Sequence, residues 1–327
     1  MNYRTLNDLS FLVNRCASKL PRDIDLVVGV TRSGMLAASM IALKLNLPLS
    51  DLRAFERNED VDHQETIPQS AHPLHKPQAA KKVLLVDDTM DTGATMTAAM
   101  QRIDRCYEGE VVTLAAFVVP EAQGRVDAFL EAVPQPRFFE WNIMHHEIIG
   151  HACLDIDGVL CEDPTEDEND DGERYIKFLQ TAAPLHIPTT HAAHLVTSRL
   201  EKYRKETEEW LERHGVRYGQ LHMLDLPSAA ERRRLNAHHK RKAEVYKNDP
   251  NAMLFIESEK RQALEILEYA KKPVFCIETN QMYVPGMPVS ALERRREQPR
   301  TGFGIKRRLT EGTRKLLGRT MLLPRGA

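Results

Sequence analysis

The residues best suited to chemistry lie in the stretch Val83-Leu-Leu-Val-Asp87-Asp88-Thr-Met-Asp91-Thr92-Gly93-Ala94-Thr95-Met96. An aliphatic run ends in two adjacent acids, and a Thr/Gly-rich turn leads into helix-forming residues from Thr95. This order predicts a buried parallel strand, a tight loop and a helix N-terminus. Such a loop offers backbone N–H groups, hydroxyls and the positive end of a helix dipole, which together hold a phosphate. The two acids just upstream can accept hydrogen bonds from sugar hydroxyls. A phosphate and a diol held side by side describe a ribose 5-phosphate.

The stretch resembles the phosphoribosyl pyrophosphate (PRPP) loop of type I phosphoribosyltransferases. Their pattern is an apolar run, two acids, two free positions and then Asp/Thr-Thr-Gly-x-Thr, and each position is matched here. The resemblance implies that Asp87 and Asp88 hold the ribose hydroxyls and stabilise an oxocarbenium-like transition state. It implies that the turn Asp91, Thr92, Gly93, Ala94 and Thr95 receives the phosphate. Asp91 holds the position where some members place a general base, which an acceptor hydroxyl or amine needs. Ile24-Asp-Leu-Val-Val-Gly-Val30 reads as the first strand, and Thr31-Arg32-Ser33-Gly34 after it resembles the family's pyrophosphate-binding loop. Arg32 adds a cation for a highly charged leaving group. Mg2+ would bridge pyrophosphate and ribose oxygens, since hard oxygen ligands suit it. Residues 52–82 read as a long polar loop of the kind that closes over PRPP in the family, with His75 and Lys76 as positional candidates.

A second apolar strand also ends in acids: Ala152-Cys-Leu-Asp155-Ile-Asp157-Gly158-Val-Leu160. It resembles the first motif of haloacid-dehalogenase (HAD) phosphatases. By that resemblance Asp155 is the nucleophile that forms a phospho-aspartate. Asp157 protonates the leaving alkoxide and later activates water. Thr197, at the end of His194-Leu-Val-Thr197, matches the second motif, and Arg199 beyond it is a candidate substrate contact. Lys242 is the choice for the third-motif lysine, with Lys240 and Lys247 as alternatives. The fourth motif follows Ala252-Met-Leu-Phe-Ile256, where Glu257-Ser258-Glu259 stands in place of the usual aspartates. Glu257 then joins Asp155 and the backbone carbonyl of Asp157 around a second Mg2+. The acidic run Glu162–Glu173 reads as a solvated flap, and the segment from Asp163 to His194 is too short for a large cap.

These residues need strands and helices to position them. Strand-like runs alternating with helical patterns predict an α/β fold: two mostly parallel sheets flanked by helices, a type I phosphoribosyltransferase fold and then a HAD Rossmann-like fold with a minimal cap. The expected domains are 1–147 and 148–288, followed by a basic tail, 289–327. A chain of 327 residues accommodates two such cores. A net charge of −2 gives no global sign of nucleic-acid binding. Five cysteines without paired metal spacing, and an N-terminus without an apolar signal core, suit reduced thiols in the cytoplasm. The tail interleaves Arg294, Arg295, Lys306 and Arg307 with Ile305 and Leu309, which reads as a solubilising tail, as a basic amphipathic segment in peripheral contact with the inner face of an anionic membrane, or, third, as a nucleic-acid arm.

A transferase joined to a phosphatase implies one sequence of events. A 5-phosphoribosyl group passes from PRPP to a glycan hydroxyl as a β-ribofuranoside, and its 5-phosphate is then removed, as in bacterial polysaccharide assembly. PRPP and a glycan are the implied partners, with the lipid linkage of the glycan and a homo-oligomer both left open. The alternatives are a nucleobase or small-molecule phosphoribosyltransferase that yields a nucleoside-like product, and a PRPP-sensing regulator.

Overall fold

Leu26–Val28, Val83–Val86 and Leu114–Val118 are apolar runs buried on both faces, the pattern of strands inside a parallel sheet. The computed structural model describes residues 1–61, 74–169, 171–235, 237–286 and 304–305. In chain order the elements are β1 (Asn2–Arg4), α1 (Leu6–Cys16), β2 (Leu26–Gly29), α2 (Gly34–Leu45), β3 (Leu49–Asp51), α3 (Leu52–Glu56), β4 (Lys82–Met90), α4 (Ala94–Ile103), β5 (Glu110–Val118), β6 (Ala128–Ala132) and β7 (Arg137–Phe139). They continue as β8 (Ala152–Leu154), α5 (Glu173–Thr181), β9 (Ala192–Leu200), α6 (Arg204–Arg213), β10 (Tyr218–Leu224), α7 (Ala229–Arg234), α8 (Ala237–Asn248), β11 (Leu254–Glu257), α9 (Lys260–Ala270), β12 (Val274–Cys276), β13 (Gln281–Tyr283) and β14 (Gly304–Ile305). The chain forms two compact units, one built on Leu9–Pro134 together with the segment that carries β14, the other on Met1–Asp8 with Gln135–Pro299.

The first unit holds a sheet of order β14-β6-β5-β4-β2-β3, parallel from β6 to β3, with β14 antiparallel at one edge. Met96, Ala99 and Ile103 of α4, with Leu52 and Phe55 of α3, pack on the face of Leu26, Val28, Val83 and Leu85. Helix α2 lies against β2 and β4. Two expectations change here. The loop expected directly after the aliphatic run starts later, because β4 keeps pairing with β5 through Asp87 and Thr89 as far as Met90. The polar loop expected from residue 52 instead opens with α3. Asp51 Oδ1 caps that helix, accepting from Arg53 N at 2.7 Å and Ala54 N at 3.1 Å, while Leu52 and Phe55 are buried. The rest of that loop call, residues 62–73, lies outside the described residues.

The second unit holds a sheet of order β10-β9-β8-β11-β12-β13. It is parallel except for β13, so the sheet is mixed. Tyr175, Phe178 and Leu179 of α5 and Trp210 and Leu211 of α6 cover one face. Ala243 and Tyr246 of α8 and Ala263 and Ile266 of α9 cover the other. A short parallel ribbon, β1 with β7, belongs to this unit. Phe138, Ile143 and Met144, expected near the end of the first domain, are buried in this second core. The expected solvated flap is tied down at its end: Asp171 accepts from Tyr203 Oη at 2.8 Å and from Ala229 N at 3.1 Å. The membrane call on the tail lies outside the described residues, apart from Gly304–Ile305. Among the described residues no helix is long and apolar enough to cross a membrane.

Candidate active sites

In the first unit, β2 and β4 are parallel neighbours, so the segments leaving their carboxyl ends lie side by side, where open α/β sheets bind ligands. Thr31–Gly34 leaves β2 and enters α2, and the Thr31–Arg32 peptide is cis. Val30 N donates to Val86 O at 2.9 Å, and Ser33 Oγ donates to Asp88 Oδ1 at 2.9 Å. Gly34 is required by close approach: a Cβ there would lie 2.9 Å from Val86 O and 3.0 Å from Asp87 Oδ1. The structure thus brings Thr31, Arg32, Ser33 and Gly34 against Asp87 and Asp88. Thr31 and Arg32 are exposed, whereas both acids are buried.

Burial, reinforced by the charge of Asp88, pushes the Asp87 carboxyl up to about 7. Adjacent buried carboxylates of this kind match hydroxyl donors or a water-shelled hard cation, so the residues fit a Mg2+-bound substrate. Past β4, Asp91, Thr92, Ala94 and Thr95 are exposed around the N-terminus of α4, with Gly93 at φ +84°. Ala94 N donates to Thr92 Oγ1 at 3.3 Å, and Arg125 Nη1 donates to Thr92 O. Lys76, a positional candidate, pairs with Asp60 at 2.7 Å and is half exposed.

In the second unit Asp155 follows β8 and Glu257 ends the neighbouring β11. The ammonium of Lys242, on α8, donates to Asp155 Oδ2 at 2.6 Å, Glu257 Oε2 at 2.9 Å and Gln262 Oε1 at 3.1 Å. Its three N–H groups are all engaged. Burial alone would favour the neutral amine, but the Asp155 and Glu257 carboxylates outweigh it and hold Lys242 firmly charged. Lys240 is exposed, and Lys247 Nζ lies over the Tyr269 ring at 4.8 Å. Glu257 Oε1 accepts from Ser258 N at 3.0 Å and Glu259 N at 3.4 Å.

Asp157 meets Arg199. Its Oδ1 accepts from Nη2 at 2.6 Å and from Nε at 3.1 Å. Arg199, expected as a substrate contact, is fully buried and also reaches Cys161 Sγ at 3.2 Å and Thr207 Oγ1 at 3.4 Å. The physical reason is its spacing. Residues 197 and 199 share one face of β9, which runs beside the β8–Asp157 segment. Thr197 Oγ1 accepts from Arg199 N at 3.2 Å. Gly158, at φ +71°, passes so close to the β11 loop that a Cβ would lie 2.5 Å from Ser258 Cβ. Burial, then Asp157 and Glu257, push the Asp163 carboxyl up.

Asp155, Asp157 and Glu257 therefore share two buried cations, Lys242 and Arg199, and Asp163 lies beside Gly158 at the edge of the same group. The excess of carboxylate charge and the hard oxygen donors fit Mg2+. Among the described residues no three His, Cys, Asp or Glu side chains converge as a cage, and Mg2+ commonly keeps water in its shell and takes only one or two carboxylates. Sequence reasoning missed Asp163 and Gln262. Nothing in their spacing separates them from ordinary loop and helix-surface residues.

Residues 2–143 match the family described as phosphoribosyl transferase domain. A xanthine-guanine phosphoribosyltransferase of Chromohalobacter salexigens is 31% identical over 132 residues, which are 39% of this chain and 75% of that protein. An orotate phosphoribosyltransferase of Sulfurisphaera tokodaii is 26% identical over 113 residues, so the chain spans about half, 52%, of that relative. Among solved structures, a purine phosphoribosyltransferase of Pyrococcus horikoshii Ot3 aligns with a TM-score of 0.32 and 23% identity, over 43% of this chain and 92% of that one.

Proposed function

The chain belongs to the phosphoribosyltransferase family through a type I domain at residues 2–143, and from this premise we propose a two-step enzyme. Its first step transfers 5-phosphoribosyl from PRPP to a glycan hydroxyl, and its second removes the 5-phosphate. The transferase lies within 1–147 and the phosphatase within 148–288.

In the first step the turn Asp91–Thr95 receives the 5-phosphate, with the N–H groups of the first turn of α4 as donors. Asp87 and Asp88 accept the ribose hydroxyls, and their negative charge favours the oxocarbenium-like state as the C1–O bond to pyrophosphate lengthens. Thr31–Gly34 and Arg32 hold the departing pyrophosphate. Asp91, exposed at the rim, takes the proton of the acceptor hydroxyl as its oxygen bonds C1. Bound Mg2+ supplies neutralisation of the pyrophosphate charge.

In the second step Asp155 attacks phosphorus. The ester oxygen leaves with a proton from Asp157, and water activated by Asp157 then cleaves the acyl phosphate. Thr197 steadies the phosphoryl oxygens, Lys242 balances charge between Asp155 and Glu257, and Arg199 orients Asp157. Asp155, Glu257 and the carbonyl of Asp157 would hold a second Mg2+, which screens the anionic nucleophile from the anionic ester.

One observation carries the phosphatase reading. Lys242 bridges Asp155 and Glu257 at the carboxyl ends of adjacent parallel strands, beside the Asp157–Arg199 pair. Hydrolysis of p-nitrophenyl phosphate with Mg2+ tests it: wild type turns over and Asp155→Asn does not. Equal turnover by both proteins would remove the assignment.

A second acceptor reading has its own support. The two relatives named above act, by their names, on xanthine, guanine and orotate. Under that reading the ribosyl group goes to a base nitrogen, and the phosphatase step leaves a nucleoside-like product. Mass spectrometry with PRPP and either a glycan or a base separates the two. Attachment to an anionic membrane through residues 289–327 belongs to the glycan reading and rests on their composition alone.

A further inference from the structure

Three buried cations stand near the ends of β8 and β9. Two are held by several neighbours each. Lys242 donates to Asp155, Glu257 and Gln262. Arg199 donates to Asp157, Cys161 and Thr207. The third, Arg232 of α7, is only 7% exposed. Its Nη1 donates to Ser198 O at 2.8 Å, in the peptide between Thr197 and Arg199. Among the described residues its buried Nε has no hydrogen-bond partner and no carboxylate pairs with its guanidinium.

Such a group is costly. A buried charge without a counterion loses its hydration and gains no partner in return. Folds keep one when an anion arrives from outside. The start of α7 is tied down: Asp171 Oδ2 accepts from Ala229 N, while Asp171 Oδ1 accepts from Tyr203 Oη. The neighbourhood is that of the second site. The buried Tyr175 phenol feels the charges of Asp157, Arg199 and Arg232 together.

We propose that Arg232 binds an oxyanion of the phosphate ester at the Asp155 site, using the donors that Lys242 and Arg199 do not have free. The ligand class is a phosphate monoester or inorganic phosphate. An arginine fork matches that geometry and is always charged. The inference rests on the phosphatase reading, and its test separates the two.

The test uses the full chain and the variants Arg232→Met and Arg232→Lys, with p-nitrophenyl phosphate as substrate and inorganic phosphate as competitor. Arg232→Met raises KM for the ester and Ki for phosphate about 10–100-fold, the scale of one hydrogen bond to a charged group, with a smaller effect on kcat. Arg232→Lys restores part of the binding, and so does guanidinium added to Arg232→Met. The melting temperature of Arg232→Met stays level or rises, because an unpaired buried charge has gone. A merely structural arginine would lower it. Unchanged KM and Ki in a folded Arg232→Met protein overturn the proposal and leave the phosphatase reading standing.

If wild type hydrolyses no ester, calorimetry with inorganic phosphate decides. Phosphate binding lost between wild type and Arg232→Met keeps the anion site while the phosphatase reading fails. The difference between the two proteins cancels any phosphate held by the Asp91–Thr95 turn. Equal binding by both proteins, or none by either, overturns the proposal as well.

Discussion

Asp87 and Lys242 show how single side chains set the chemistry of each site. The folded Asp87 carboxyl titrates at about 7, raised by burial and then by Asp88. An unperturbed Asp titrates near ~3.9, so folding without ligand takes up a proton there, and that contribution to stability fades as pH rises through about 7. Ribose hydroxyls need the ionised acceptor, so affinity for Mg2+–PRPP falls as pH drops below about 7. Calorimetric titration from pH 6 to 8 checks this; a flat profile would detach Asp87 from the ribose. Asp87→Asn with Asp88→Asn abolishes PRPP binding and spares hydrolysis of p-nitrophenyl phosphate. Lys242→Met leaves Asp155 and Glu257 facing each other without their cation and costs about 3–5 kcal/mol of stability by denaturant unfolding. Adding Glu257→Gln to that variant recovers part of the loss. If Lys242→Met were neutral, the buried charge balance described for this site would be wrong.

At the scale of elements, what was legible in the sequence was what local pattern determines. Aliphatic runs ending in Asp87-Asp88 and Asp155-x-Asp157 marked the strands whose carboxyl ends form both sites, and Thr31–Gly34 fell between a strand and a helix as read. The misses came from partners distant in sequence. The strand β4 runs on through its acids because β5 continues to pair with it. The short α3 went unseen because only two of its residues, Leu52 and Phe55, face the core. Arg199 was read as lying just beyond the strand and touching substrate, whereas β9 continues through it to Leu200 and its partner is Asp157, which nothing local reveals. Gly158 joins two such elements. Gly158→Ala adds a Cβ 2.5 Å from Ser258 Cβ at a positive φ, so it pushes the first acid loop off the β11 loop. The expected cost is about 1–3 kcal/mol, with a phosphatase loss well beyond tenfold and an intact transferase step. Wild-type turnover in this variant would mean that the two loops need not touch for chemistry.

For the whole molecule, the claim is that one chain attaches a phosphoribosyl group and then strips its phosphate. The proposed membrane attachment through the basic tail has its own test. Truncation after Pro288 leaves catalysis on soluble substrates intact and weakens salt-sensitive binding to anionic liposomes, because surface attraction decays over a Debye length of ~8–10 Å. Indifference of the full-length protein to such liposomes at low salt would exclude a membrane role for the tail. The most direct test of the two-step claim is the mass of the acceptor after incubation with PRPP and Mg2+. Wild type should add an unphosphorylated pentosyl group to a glycan acceptor, and Asp155→Asn should add a phosphoribosyl group and stop there. Phosphate retained on every wild-type product, or ribosyl transfer only to a nucleobase, would contradict the account.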